Sequence, residues 1–400
     1  MTISTLTFQT NALNQFDALD SALSKTQLEL STGKRLQTAA DNPTGMSQVD
    51  QLNTEVSASQ QYVTNGNLAR ANLNLEAQGL TDATNLLQSV RDAAVQANDG
   101  SLNASNRQSI ATQLEQQLQQ LVSIANRHDS QGNYLFSGYA AGTQPFAQNG
   151  SSVSYSGADG VSQVQISTDQ RISAGDTGSS VFMRLPAGNG TFTTAASSGN
   201  AGTASIGAGT VTDPSQWTGD TYAISFTSSA QYTVTDQTTG MPVTSGTLAS
   251  TPGVTNTISF DGIQVSLSGT PSTGDTFTVA QAGTASVFST ISGLISTLNS
   301  STLSSGQIAT QLSQGIEQID GAITHIDSVQ ASVGGRINAA TAAQTSAQSR
   351  QTEYQTMISQ LSDTDYAKAT TQLSSEELTL QAAQESYASM EKLSLFNYVG

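Results

Sequence analysis

The chain has 400 residues with 13 basic and 30 acidic side chains, a formal charge of −17, which does not suit a nucleic-acid binder that must cluster Lys and Arg against phosphate. It has no cysteine, which excludes disulfides, thiolate metal sites and a cysteine nucleophile. No apolar run reaches the ~18–20 residues that span a bilayer, so membrane insertion is not expected, and the opening MTISTLTFQTNALNQF lacks the marks of a cleavable secretory signal.

From the N-terminus, Leu6, Leu13, Phe16, Leu23 and Leu30 keep spacings of seven, three, seven and seven. That is the a/d seam of a coiled coil, and it predicts a helix over about 3–32. LSTGKRLQTAADNPTGM (30–46) then interrupts the pattern. Gly33 suits the left-handed residue that ends a helix, and Lys34 and Arg35 suit the negative end of its dipole. Pro43 drives Asn42 out of helical geometry, and Asp41 or Asn42 can cap the next helix. Gly33 to Gly45 therefore reads as an inter-domain joint.

A second helix is predicted over 44–98, with Leu52, Leu73, Leu80, Leu87 and Ala94 on one heptad position. Ser105 and Gln108 read as a capping box for a third helix, whose apolar stripe is Ile110, Leu114, Leu118, Leu121 and Ala125. GNYLFSGYAAGTQPF (132–146) reads as a hairpin. The centre changes character: 21 of the 34 glycines fall in 138–283. There Tyr222, Ile224, Phe226, Ile258, Phe260, Ile263, Val265, Leu267, Phe277 and Val279 alternate at strand spacing between turn residues. The stretch 188–209 is low in complexity and reads as a loop. Helical patterns return at 285–299, 306–332 and 335–392. In the last of these Tyr366, Leu373, Leu380 and Tyr387 repeat every seven, with Ala369, Ala383 and Met390 at the complementary position.

Two seams of like length at opposite ends predict that the ends pair. Their apolar content is too small to fold alone, so they are expected to order among neighbouring copies. The expected fold is mainly α with an inserted β domain: discontinuous terminal helices form a coiled-coil rod, and the β-rich centre projects outward. The expected domains are 1–42 with 360–400, 43–146 with 285–359, and 147–284.

Chemistry leaves little trace. His128 and His325 are the two histidines, each reading as an ordinary helix residue. No nucleophile elbow, P-loop, GxGxxG or HExxH occurs. Asp213, Asp220, Asp236, Asp261 and Asp275 read as turn residues rather than metal ligands. No enzyme, cofactor or metal is expected. Two readings stay open on the residues alone. One is a polymerising structural subunit. The other is a secreted adhesin or carbohydrate-binding protein on a helical stalk, with Trp217, Tyr222 and Tyr232 as its platform.

LSTGKRLQTAADNPTGM and the C-terminal LSDTDYAKATTQLSSEELTLQAAQESYASMEKLSLFNYVG resemble the two conserved ends of bacterial flagellins and hook-associated proteins. GNYLFSGYAAGTQPF, ISFDGIQVSLSGTPSTGDTFTV and the LSLFNYVG ending are more similar to the hook-associated protein 3 branch than to a filament flagellin, which is the alternative within the family. The resemblance implies a structural subunit in the junction layer between hook and filament. It also implies type III export without a cleavable signal and an extracellular place on the flagellum. The implied partners are copies of itself, the lower hook-associated junction protein, flagellin and a flagellar export chaperone. Leu6, Leu13, Phe16, Leu23, Leu30, Tyr366, Leu373, Leu380, Tyr387 and Met390 would then line the terminal coiled coil. LLQSVRDAAVQAN (86–98) resembles the flagellin stretch recognised by Toll-like receptor 5, with Arg91 at the matching position as a possible inter-subunit or receptor-like contact.

Overall fold

The computed structural model describes residues 5–249 and 255–399, with side chains from Thr7 to Met390 apart from Phe8 and the gap. The Leu6 side chain lies outside the described residues. The described residues form six α-helices: α1 (Thr5–Thr32), α2 (Pro43–Ala97), α3 (Ala104–Ala125), α4 (Val287–Asn299), α5 (Ser305–Ser362) and α6 (Tyr366–Val399). The chain divides into two compact units, Met1–Thr64 with Gln344–Gly400, and Asn65–Ala343.

In the larger unit the heptads of α2 fill the core. Leu73, Leu80, Leu87 and Ala94 are fully buried, and so are Leu312, Ile319, Ile326 and Val333 of α5, also seven apart. Asn98 meets Ser313, Arg91 meets Asp320 and Thr84 meets Asp327. Each step of seven back along α2 is a step of seven forward along α5, so the pair is an antiparallel coiled coil in one register. The α3 stripe Ile110, Leu114, Leu118, Leu121 and Ala125 is buried on the same core, and α4 packs against α3.

Four sequence expectations need correction here. The pattern was expected to break between 332 and 335, yet α5 runs through Gly334 and Gly335. The heptad from Val333 to Ala340 (both buried) continues across them, and core packing outweighs ~1 kcal/mol of lost propensity per glycine. The cap of α3 is Asn103, whose side chain accepts from the Asn106 N–H at 2.9 Å, not Ser105. Residues 132–146 form turns rather than a hairpin, with Gly132 and Gly138 left-handed, because the segment delivers Phe136 into the core against Phe182. The hairpin comes one step later, Phe146–Asn149 against Ser152–Tyr155, around left-handed Gly150. Finally, 188–209 contains the strands Phe192–Ala196 and Ser205–Ile206; Phe192 and Ile206 are fully buried, so a small-residue composition hid two core residues.

The β region has its own core. An antiparallel five-stranded sheet runs Pro242–Thr247, Gln231–Asp236, Tyr222–Phe226, Thr276–Gln281, Phe192–Ala196. A second sheet pairs Asn256–Phe260 with Ile263–Ser268 and, beyond it, Ser205–Ile206 and Thr210–Val211. All ten alternating residues named from the sequence are buried in one cluster between them. The turn at Asp261 (φ 39°) and Gly262 (φ 72°) is the tight hairpin that FDGI predicts. Asp275 is buried and accepts from the Ala201, Gly202 and Ser272 N–H groups, binding a loop as a turn residue does. Phe146, Ile166, Ile172, Phe182 and Leu185 belong to the helical core instead. By packing, the change of core falls between Leu185 and Phe192, some forty residues past the border drawn from composition.

Gly335 is helical with open space where a Cβ would stand. Gly335→Ala should therefore raise stability by about 0.5–1 kcal/mol, read as a higher denaturation midpoint. A lower midpoint would mean that a side chain at 335 is not accommodated as the open space there implies.

Candidate assembly site

In the smaller unit α1 and α6 pack along one another. Phe16 meets Tyr387 edge-on with ring centroids 5.7 Å apart, and a Cβ on Gly33 would stand 3.0 Å from Tyr366 Oη. Early residues of one helix face late residues of the other, so the pair is antiparallel. The contact covers the seam only in part. Phe16, Leu23, Leu30, Leu373, Leu380 and Tyr387 are half-buried. Leu13 is 58% exposed, Tyr366 56% and Met390 49%, and Leu28 and Leu378 are exposed beside them. Among the described side chains only Thr26 on α1 and Ala369 on α6 are buried.

The joint is built by local chemistry. Gly33 has φ 70°, and its N–H donates to the Glu29 carbonyl at 2.9 Å, the single bond of a left-handed helix end. Asn42 caps α2: its side chain accepts from the Gly45 N–H at 3.0 Å, with Pro43 at the first helical position, where a missing N–H costs nothing. Gly45 is buried, and a Cβ there would press on Leu36 at 3.0 Å. Asp41 accepts from Lys25 Nζ at 2.8 Å and from the Thr38 N–H at 3.0 Å, tying the joint back to α1. The Lys25 bond, with those from Thr38 and Gln37, holds the Asp41 carboxyl well below the usual range.

What the sequence did not reveal is the partner of this joint. Between α5 and α6 the helix stops for three residues, Asp363 to Asp365, where one helix was expected. That stop clasps the joint. Thr364 N–H donates to the Gly33 carbonyl at 2.9 Å, and Arg35 N–H to the Ser362 carbonyl at 2.7 Å. Lys34 Nζ pairs with Asp363 at 2.7 Å, and Arg35 Nη2 reaches the Leu361 carbonyl at 2.8 Å. Asp365 caps α6 through the Lys368 N–H at 3.1 Å. The signal was present as SDTD, a run of residues that bond their own backbone and favour helix ends. Gly33, Lys34, Arg35, Asp41, Asn42, Pro43 and Gly45 are thus brought into one clasp, which lies inside the smaller unit rather than at its edge.

Arg91 lies in the larger unit, its Nε 2.5 Å from Asp320, both about half exposed. His325 Nε2 sits 2.9 Å from the Ser180 carbonyl, and the His128 ring stacks on Tyr134. Among the described residues no group of three His, Asp or Glu is placed to hold a metal ion, and no helix is long and apolar enough to cross a membrane.

A unit of paired terminal helices, with a second unit that is helical and β-rich, is the make-up of a flagellin-type subunit. Residues 3–141 match the bacterial flagellin N-terminal helical region and 316–399 its C-terminal helical region. Residues 195–281 match the D2-like domain of flagellar hook-associated protein 1. Flagellar hook-associated protein 3 of Escherichia coli K12 is 30% identical over 154 residues, 38% of this chain and 48% of that protein. The chain thus aligns with about half the length of the curated relatives it matches. Flagellin A of Helicobacter pylori is 28% identical over 41% of this chain and 34% of its own. Among solved structures, flagellar hook-associated protein 3 of Legionella pneumophila is 30% identical with a TM-score of 0.72, over 78% of this chain and 98% of that one. The FlgL structure from Xanthomonas campestris is 30% identical with a TM-score of 0.70, over 77% and 99%. The chain belongs to the flagellar hook-associated protein 3 family.

Two predictions follow from the clasp. Gly33→Ala puts a Cβ on a left-handed residue against Tyr366, so it should cost about 1–2 kcal/mol and speed amide exchange over 28–45; unchanged exchange would refute the role given to Gly33. Asp41 and Asp363 both have lowered carboxyl pKa values, Asp363 chiefly through Lys34. Their contribution is therefore present above the ordinary carboxylate range and lost as pH falls through their depressed values. Amide protection of the joint should drop on acidification below about pH 4, and less so in an Asp363→Asn variant, which has already lost that charge.

Proposed function

We propose that this chain is a structural subunit of the bacterial flagellum that forms the junction layer between hook and filament by self-assembly of its terminal helices. The observation that carries this reading is the half-covered seam of α1 and α6, with Leu13, Tyr366 and Met390 facing outward. An apolar stripe left open on a paired coil is a surface for further helices, and a ring of identical subunits supplies them. The names of its relatives point the same way. On this reading Phe16, Leu23, Leu30, Leu373, Leu380 and Tyr387 line the contact within one chain, and Leu13 and Met390 face a neighbouring copy. Gly33 to Gly45 form the joint between α1 and α2 that the 361–365 segment clasps, and Arg91 stands at an inter-subunit contact. The other partners are the lower hook-associated junction protein, flagellin and an export chaperone, the protein acts outside the cell, and it catalyses no reaction.

Deleting the gene and examining the cells by electron microscopy, with the medium blotted for flagellin, tests the role. Hooks without filaments and flagellin shed as monomer are expected. Hooks with no flagellin anywhere would make this chain the filament protein itself, and normal filaments would reject the junction role. In the deletion strain, Leu13→Asp or Met390→Asp should yield a folded, soluble chain that restores no filaments. Restoration by either would remove that residue from the assembly surface.

A further inference from the structure

Glu76, on α2 in the larger unit, is 1% exposed, and both carboxylate oxygens are sealed from solvent with no hydrogen-bond partner. It lines a cavity of about 150 Å³ together with Asn72, Asp129, Tyr134, Gly175 and Asp176. A carboxylate in this state is rare, because burying an unpaired charge costs several kcal/mol.

The charged surroundings explain what could relieve it. Arg336 of α5 pairs with Asp176, and its Nη1 donates to the Gly175 carbonyl at 3.0 Å, but its Nε has no partner. Asp129, from the loop after α3, is occupied by the Asn133 and Gln131 N–H groups. Arg127, just past the end of α3, is taken by Asp82 of α2 at 2.6 Å. One guanidinium is therefore left to serve two carboxylates, Glu76 and Asp176. Among the described residues no group of three His, Asp or Glu is placed to hold a metal ion, whereas a proton needs no such set. Burial first, and then the Asp176 charge, push Glu76 up to about 8 against the pull of Arg336 and of the nearby Asp176 N–H.

We propose that Glu76 is a proton-binding site that couples the closure of the 161–176 segment onto α2 and α5 to pH. Protonated, Glu76 can donate to the Asp176 carboxylate, and the single charge of Asp176 is matched by Arg336. Ionised, it sets a second negative charge beside the first, and the segment that carries Asp176 and Gly175 loosens from the helices.

The sign follows from linkage. A carboxyl that holds its proton more tightly when folded stabilises the fold fully below its unfolded value near 4.5. That stability is lost as pH rises toward about 8. Urea unfolding of the full chain, followed by far-UV circular dichroism from pH 5.5 to 8.5, reads this directly. The unfolding constant of the wild-type chain should rise by about tenfold per pH unit between 5.5 and 7.5 relative to Glu76→Gln, which mimics the protonated side chain. Glu76→Gln should also be the more stable protein at pH 8. Equal pH slopes, or a Glu76→Gln chain less stable than wild type at pH 8, would overturn the proposal, the latter by showing that the anion is engaged. Asp176→Asn gives an independent check: with the competing charge gone Arg336 favours the Glu76 anion, so the pH slope between 6 and 8 should shrink. Retention of the wild-type slope would contradict the shared guanidinium.

Discussion

Two helices wound against each other bury only the stripe along which they touch. In the α1–α6 pair that stripe is narrow: the seam residues are half-buried, and several large apolar side chains point away from the partner helix. The α2–α5 pair shows the contrast. It has the same seven-residue logic, but α3 and α4 add a further wall, and Leu73, Leu80, Leu87, Ile319 and Ile326 are shut off completely. One chain thus contains a finished coiled coil and an unfinished one, and the difference is the number of helices that surround each seam. Apolar area still open to water is free energy that association can release.

The clasp sets which residues of α1 and α6 can face each other. The two interruptions of the terminal helices are far apart in sequence but meet in space, with Gly33, Lys34 and Arg35 bonded to Leu361, Ser362, Asp363 and Thr364. Backbone bonds fix the starting register of the antiparallel pair at one end, and Phe16 on Tyr387 holds it farther along. A seam presented in one register offers the same stripe on every copy. That is what a closed ring of identical contacts requires.

Much of this was legible in the sequence, because long repeats report packing directly. The α2 heptads from Leu73 to Ala94 and the alternation from Tyr222 to Val279 named buried residues correctly, since each pattern has one geometric cause, while Leu52 is half-buried. The joint was legible too: Gly33, Asn42 and Pro43 act through local backbone chemistry, and they do so as their types predict. Legibility failed where tertiary packing overrode a local signal. The pattern read as breaking between 332 and 335, but a continuing core row carries the helix through Gly334 and Gly335. Residues 188–209 read as a loop because small residues mask the strand that carries Phe192. The clasp itself was invisible, because a helix stop at 363–365 and a joint at 33–45 each look self-sufficient; only the fold brings them together.

The most direct test of the account is hydrogen exchange of the α1 and α6 amides, measured in the free chain and again in the assembled junction. If neighbouring copies complete the seam, these amides exchange quickly in the free chain, while those of α2 and α5 near Leu80 and Ile326 stay protected. On assembly the terminal amides should then become as slow as the core. Full protection of α1 and α6 in the free chain, unchanged by assembly, would show that the pair is complete by itself and would contradict the central claim.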